Sequence, residues 1–180
     1  YDITRLKMAE AALREEVEKR RAAEALLTDV IETVPDGIAA FDADDRLVVF
    51  NQAYASCFPH AGKTIAPGET FETILRKAVA NGDFVLSRNT PEARETWVRG
   101  RLREHRNPGR KLVQEMANGR WMQIQERRSS SGHVVGTRTD ITELKRSEAA
   151  VKYHAEHDPL TGLLNRSVLP RHCAEAVAAT

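Results

Sequence analysis

Between Ile3 and Val34 apolar residues recur at helical spacing, no Gly or Pro interrupts them, and Ala, Leu, Glu, Lys and Arg fill the remaining positions. That composition predicts one continuous helix, roughly 48 Å long. With Ile3 at heptad position a, the a series is Ile3, Glu10, Val17, Glu24 and Ile31, and the d series is Leu6, Leu13, Arg20, Leu27 and Val34. The seam is apolar at its ends and polar in the middle, as in a modest two-stranded coiled coil. Leu6, Leu13, Val17, Leu27, Ile31 and Val34 are therefore the expected dimer contacts. The competing expectation is a single amphipathic helix lying on its own domain.

Pro35-Asp36-Gly37 breaks this helix, and the period then changes. Ile38–Asp42 and Arg46–Phe50 read as two strands joined by the polar turn Ala43-Asp44-Asp45. Asn51 is placed to cap a short helix over Gln52–Phe58, and Pro59–Gly68 reads as loop. Phe71, Ile74, Leu75, Ala78 and Val79 share one helical face that ends at Gly82, a left-handed cap position. Thr90-Pro91-Glu92 starts a third helix carrying Trp97, Val98, Leu102 and His105, which Asn107-Pro108-Gly109 stops. Strands follow at Lys111–Ala117 and Arg120–Arg128 around the hairpin signal Asn118-Gly119, and a last strand runs over His133–Thr139 after Ser129-Ser130-Ser131-Gly132. Two strands, a block of helices and three more strands predict an α+β domain with an antiparallel sheet.

Composition narrows the functional classes. The 180 residues are 41% hydrophobic and 29% charged, enough for one domain plus extra helices. With 27 basic against 26 acidic residues the net charge is +1, which gives no global field for steering a polyanion. Cys57 and Cys173 are far apart and lack metal-ligand spacing, as in a reducing compartment. No run is long enough to cross a bilayer, and the N-terminus lacks the parts of a signal peptide, so a cytoplasmic fragment that starts internally is expected. The chain ends at Thr180 before any recognisable catalytic signature, so no enzyme activity is expected of it by itself.

One motif occurs twice. Asp2-Ile3-Thr4-Arg5-Leu6-Lys7 and Asp140-Ile141-Thr142-Glu143-Leu144-Lys145 share Asp, Ile, Thr, Leu and Lys at a constant offset, and each opens a charged helical run. A repeated junction implies a repeated module. In the second copy Asp140 is expected to cap the outgoing helix, with Glu143 reciprocating in a capping box. Asp140, Ile141, Thr142 and Glu143 are thus candidate signal-relay residues.

Val34-Pro35-Asp36-Gly37-Ile38-Ala39-Ala40-Phe41-Asp42, the strand and helix start Arg46–Asn51, Asn118-Gly119-Arg120-Trp121 and the closing Asp140-Ile141-Thr142 together resemble a PAS domain, a sensory and dimerisation module of bacterial signalling proteins. The resemblance covers roughly Asp29 to Thr142. It implies a five-stranded antiparallel sheet in spatial order 2-1-5-4-3, with helices enclosing a pocket on one face. Further on, Asp158-Pro159-Leu160-Thr161-Gly162-Leu163-Leu164-Asn165-Arg166 resembles the opening segment of GGDEF domains, which in diguanylate cyclases join two GTP molecules into cyclic di-GMP; Ser167 departs from the family's frequent second Arg. The bland reading of that segment is a turn between two helices. A histidine-kinase reading of His157 fails for want of Glu-Leu-Arg before the Pro.

These resemblances imply the end of an upstream PAS-like module and a linker helix at 1–28, a PAS domain at 29–142, a signalling helix at 143–157 and the start of a GGDEF domain at 158–180. The expected partners are a second copy of the chain, the GGDEF domain in cis and a small-molecule ligand. Phe71, Leu75, Trp97, Leu102, Met116, Met122 and Ile124 are the candidate pocket residues, against the alternative that they fill a solid core. His105 is the one residue to consider as a haem ligand, against a core or solvated histidine. The Gly-x-Asn-Cys-Arg-Phe-Leu-Gln run of flavin-binding light sensors is missing, and no metal site is expected. Arg94, Arg99, Arg101, Arg103, Arg106, Arg110 and Lys111, interleaved with Glu92, Glu95 and Glu104, read as solvated helix faces rather than a nucleic-acid surface. The implied function is a sensory relay to a diguanylate cyclase. The alternatives are a ligand-free constitutive spacer and the sensor of a GGDEF-EAL phosphodiesterase.

Overall fold

The computed structural model describes residues 3–158 and 160–165; Asp2, Pro159, Arg166, Ser167 and Cys173, and with them most of the expected 158–180 unit, lie outside the described residues. Helix α1 runs over Ile3–Thr33 and buries no residue. Leu6, Leu13 and Leu27 are all more than 60% exposed, so the helix does not lie on its own domain. Ile31 and Val34 at its end are half-buried.

Five strands follow the predicted order: β1 Gly37–Phe41, β2 Leu47–Phe50, β3 Lys111–Glu115, β4 Trp121–Arg128 and β5 Val134–Asp140. They form one antiparallel sheet in the order β2-β1-β5-β4-β3. The helices α2 (Gln52–Ser56), α3 (Phe71–Ala80) and α4 (Pro91–Arg106) fall between β2 and β3, and α5 (Thr142–Glu156) leaves from β5.

Local chemistry explains most boundaries. The Asn51, Thr70 and Thr90 side chains each accept an amide hydrogen at the start of α2, α3 and α4. Gly82, at φ 74°, turns the chain after α3 as its sequence position predicts. Elsewhere the structure departs from the sequence reading. Helix α2 stops at Ser56 rather than Phe58, and the expected loop after it contains a 3₁₀ turn over Ala61–Thr64. Gly62 makes that turn fit, since a Cβ there would sit 2.0 Å from the Ala55 carbonyl oxygen.

The Asn118-Gly119 hairpin has a longer connection than the two-residue turn its sequence suggests. Met116 N donates to Arg120 O at 2.8 Å and Gly119 N to Met116 O at 2.9 Å, which makes a loop of Ala117, Asn118 and Gly119 with Gly119 at φ 79°.

The core lies between the sheet's inner face and α2–α4. Phe41, Leu47, Phe58, Phe71, Ile74 and Leu75 are among its buried side chains. Alternation on β1 and β4 puts Ala39, Phe41, Met122, Ile124 and Glu126 on this inner face. Val49, Ala40 and Val135 stand in register across β2, β1 and β5 on the other face, where both valines are exposed. Among the described residues no helix is long and apolar enough to cross a membrane.

Candidate functional site

The incoming and outgoing helices meet at one end of the sheet. Gly37, the first residue of β1, pairs with Arg138 two residues before the end of β5. One residue earlier in β1's approach, Asp36 Oδ2 accepts a hydrogen bond from Thr139 Oγ1 at 2.8 Å. Gly37 also lets α2 pack closely on the start of β1, because a Cβ there would lie 2.8 Å from Tyr54 Cα.

Asn51 holds the entrance. Its side chain is fully buried and its Oδ1 accepts from Tyr54 N at 2.9 Å and Ile38 N at 2.8 Å. Its Nδ2 donates to Ile31 O at 3.0 Å and Asp36 O at 2.9 Å. One amide therefore caps α2, starts β1 and satisfies a carbonyl in the last turn of α1. Glu32 adds a second tie by accepting from Gln52 N at 3.0 Å. The cap was readable from sequence, whereas the grip on α1 was not, because its partners are backbone carbonyls brought near only by the fold.

At the exit, Asp140 Oδ1 accepts from Thr142 N at 2.9 Å and also from the Thr142 hydroxyl, while Oδ2 accepts from Arg120 Nε at 2.8 Å. Partial burial works against ionisation of Asp140, but Thr142 and then Arg120 outweigh it and hold the carboxyl below its ordinary value. Thr142 Oγ1 in turn accepts from Trp121 N at 2.9 Å, and Ile141 N donates to Trp121 O at 2.8 Å. Three of the four relay candidates are thus bound to the start of β4.

The expected capping box does not form. Ile141, not Asp140, is the N-cap residue and has no side-chain cap bond, and Glu143 pairs with Arg146 at 2.9 Å. Asp140 is still an extended strand residue, so its carboxylate reaches the first amide of α5 from the strand side, and Glu143 points along the helix surface.

Of the seven pocket candidates, Phe71, Leu75, Leu102, Met116 and Met122 belong to one continuous buried core. Trp97 is partly exposed and stacks obliquely on Phe84, with ring centroids 4.6 Å apart. Trp97 and the buried Ile124 line an open groove of about 300 Å³ between α4 and β3. The structure does not gather the seven around one enclosed cavity.

The inner face is instead marked by buried charge. Arg101, only 8% exposed, donates to both carboxylate oxygens of Glu126 and lies 4.9 Å from the centre of the Phe71 ring. The solvated-face expectation for the arginine run therefore fails at Arg101, which points inward, whereas Arg94 bonds Asn89 and Arg106 bonds Asp45 at the surface.

His105 is fully buried and stacked on Phe71 at 3.8 Å, with Phe41 edge-on at 5.0 Å. Its Nδ1 lies 3.2 Å from Glu126 Oε1, without the angle of a well-directed hydrogen bond. This is a core histidine between aromatic rings, without the open axial face that haem ligation would need. Burial works against the ionised form of Glu126, yet His105 and Arg101 outweigh it and bring the carboxyl down to about 2. Gly136, opposite Glu126 on β5, leaves the space this side chain occupies, since a Cβ there would come within 3.2 Å of Glu126 Cγ.

The chain therefore forms an α+β module, a five-stranded antiparallel sheet with helices over one face, entered before β1 and left after β5 at the same end of these two inner strands. The chain matches the PAS fold family over residues 31–149 and belongs to it. It is 31% identical over 157 residues to the non-motile and phage-resistance protein of Caulobacter vibrioides, covering 86% of this chain but 16% of that protein. Among solved structures it is similar to the PAS domain of an HTR-like protein from Haloarcula marismortui, with 16% identity, a TM-score of 0.41 and coverage of 71% of this chain and 99% of that one. It is also similar to the PAS domain of Bordetella pertussis BvgS, with 19% identity, a TM-score of 0.39 and coverage of 73% and 97%.

Proposed function

We propose that this PAS module relays a signal between an upstream sensory unit and a downstream diguanylate cyclase, acting as a dimer through α1 and α5. The observation that carries the reading is the shared junction. Asn51 ties α1 to β1 and α2, Asp36 ties that loop to Thr139, and Asp140 ties β5 to α5 and Arg120. Entrance and exit are separated by single hydrogen bonds, so a change in the pitch of α1 has a short path to α5. The apolar seam of α1, which from Ile3 to Leu27 is exposed among the described residues, supports pairing with a second copy.

The cyclase assignment rests on the segment after His157. Asp158 Oδ1 accepts from Leu160 N, Thr161 N and Thr161 Oγ1 at 2.9–3.0 Å, and Gly162 takes φ 69°. Asp158 and Asn165 fold this turn back on the end of α5, through Asp158 N to Leu163 O and Asn165 N to Glu156 O, both at 2.7 Å. Asp, Thr and Gly of the motif each have a role in a rigid turn joined to the helix, which suits a segment that must transmit orientation. On this reading 1–28 links from an upstream module, 29–142 senses, 143–157 transmits and 158–180 opens the cyclase. The cyclase needs two GTP-loaded subunits face to face, so helix orientation controls output.

The test is Asp140→Ala in the full-length protein. Cyclic di-GMP output is expected to change while the near-ultraviolet circular dichroism of the domain stays native; unchanged output removes this junction from the mechanism. A second reading, a ligand-free spacer, is favoured by the filled core around Phe71 and Leu75. It predicts a constitutive dimer whose output is indifferent to both Asp140→Ala and added ligands.

A further inference from the structure

Arg138 stands apart from the other buried charges. It is 3% exposed, it sits on the inner face of β5 opposite Gly37, and its Nη1 has no hydrogen-bond partner. Its guanidinium lies over the rings of Tyr54 at 5.1 Å and Phe58 at 4.7 Å. The neighbouring carboxylates are engaged elsewhere, Glu126 by Arg101 and His105 and Asp140 by Arg120 and Thr142. A cation taken out of water without an anion is strongly disfavoured, and ring faces offset only part of that cost.

The same arginine lines a cleft of about 280 Å³ at the junction, together with Pro35 and Gly37 from the entrance, Cys57 just after α2, and Arg120, Met122 and Asp140 from the exit. We infer that this cleft binds a small organic carboxylate, whose anionic end meets Arg138 and whose short apolar body lies against Pro35 and Met122. Guanidinium geometry suits a planar carboxylate bound through two parallel hydrogen bonds. A phosphate dianion fits less well, because the second cation of the cleft, Arg120, already donates to Asp140 and to Ser56 O at 3.2 Å. The volume is below that of a typical drug-sized site, which limits the body to a few carbons. Asp140 lines the same cleft and bonds the first amide of α5, so an anion bound on Arg138 acts on the first turn of α5 through its proximity to that carboxylate.

The inference supplies a ligand class to the relay reading, but binding at the cleft does not depend on that reading. The test uses the 180-residue chain with sodium acetate, propionate, succinate and benzoate as probes, against sodium chloride at equal ionic strength and inorganic phosphate. At least one carboxylate is expected to raise the Tm by about 2 °C or more at millimolar concentration and to shift the Arg138 Nε–Hε resonance in nitrogen-15 spectra. Arg138→Met is expected to weaken that carboxylate at least about tenfold. No carboxylate effect beyond chloride, a response to phosphate alone, or equal binding by Arg138→Met overturns the proposal. Should Arg138→Met fail to fold, the wild-type resonance decides, since a stabilising carboxylate that leaves Arg138 Nε–Hε unmoved binds elsewhere. Relay failure reads differently: Asp140→Ala without effect on output leaves the carboxylate site standing.

Discussion

Glu126 shows how one carboxylate on a strand can organise a buried interior. Its carboxyl, held at about 2 against an ordinary 4.5, is ionised in the folded protein at pH values where the unfolded chain has taken up a proton. Its stabilisation is fully present above pH 4.5 and is lost as pH falls from there towards 2, a total on the order of 3 kcal/mol. Glu126→Gln is therefore expected to flatten the acid-unfolding curve over this window. It is also expected to destabilise the protein near neutral pH by about 3 kcal/mol, because Arg101 and His105 lose their buried anion. Urea unfolding at a series of pH values checks both, and parallel curves for wild type and variant would exclude Glu126 as the acid-sensitive group. Sequence reading placed Glu126 on a strand and Arg101 on a helix but could not pair them, since they are far apart in the chain and Arg101 sits in a run of look-alike arginines. Asp140, a relay candidate from the sequence, bonds Thr142 and Arg120. Its bonding partners were misassigned because Thr142 offers both an amide and a hydroxyl within two residues, closer than the expected Glu143 partner.

At the scale of elements, periodicity was the dependable signal: the 3.6-residue spacing of α1, α3 and α4 and the alternation of β1 and β4 all appear in the structure close to their expected bounds. Connections were less legible. Asn118-Gly119 announces a hairpin, yet a Gly at positive φ serves a three-residue loop as well as a two-residue turn, and only the pairing of Met116 with Arg120 distinguishes them. Gly119→Ala is expected to cost about 1 kcal/mol through that backbone angle, with open space around the position excluding a steric cause; an unchanged Tm would mean the loop relaxes to another turn. Helix α1 poses the sharper question, since among the described residues it buries no side chain and is tied to the sheet domain only at its end. Leu13 lies on the seam and is 66% exposed. Leu13→Glu is expected to shift sedimentation from dimer to monomer and to lower helicity, with the sheet core unaffected. A native mass that is already monomeric in the wild type would leave the seam without its proposed partner.

For the whole molecule the issue is whether its two ends act as one unit. Asn51 touches Ile31, Asp36, Ile38 and Tyr54 but no residue of α5, and Asp140 touches Arg120 and Thr142 but no residue of α1. Besides the bond from Arg120 Nη1 to Ser56 O of α2, the direct bond between the two clusters is Thr139 to Asp36, supported by the pairing of Gly37 with Arg138. If coupling runs through this contact, loosening the entrance must loosen the exit, because packed elements carry displacement only where they are bonded. Asn51→Ala leaves several buried polar groups unsatisfied and is expected to cost about 2–3 kcal/mol. Hydrogen exchange is then expected to quicken not only at Ile38 and Tyr54 but also over Thr142–Arg146, out of contact with the substitution. Thr139→Val should cost only about 1 kcal/mol, and on its background Asn51→Ala should no longer reach α5. Exchange changes confined to residues 31–54 in both backgrounds would mean that the junction is merely two adjacent anchors. An α5 response surviving Thr139→Val would instead move the coupling to the Arg120 bond to Ser56 O, which Arg120→Met removes, or to the backbone ladder between β1 and β5, which no side-chain substitution could interrupt.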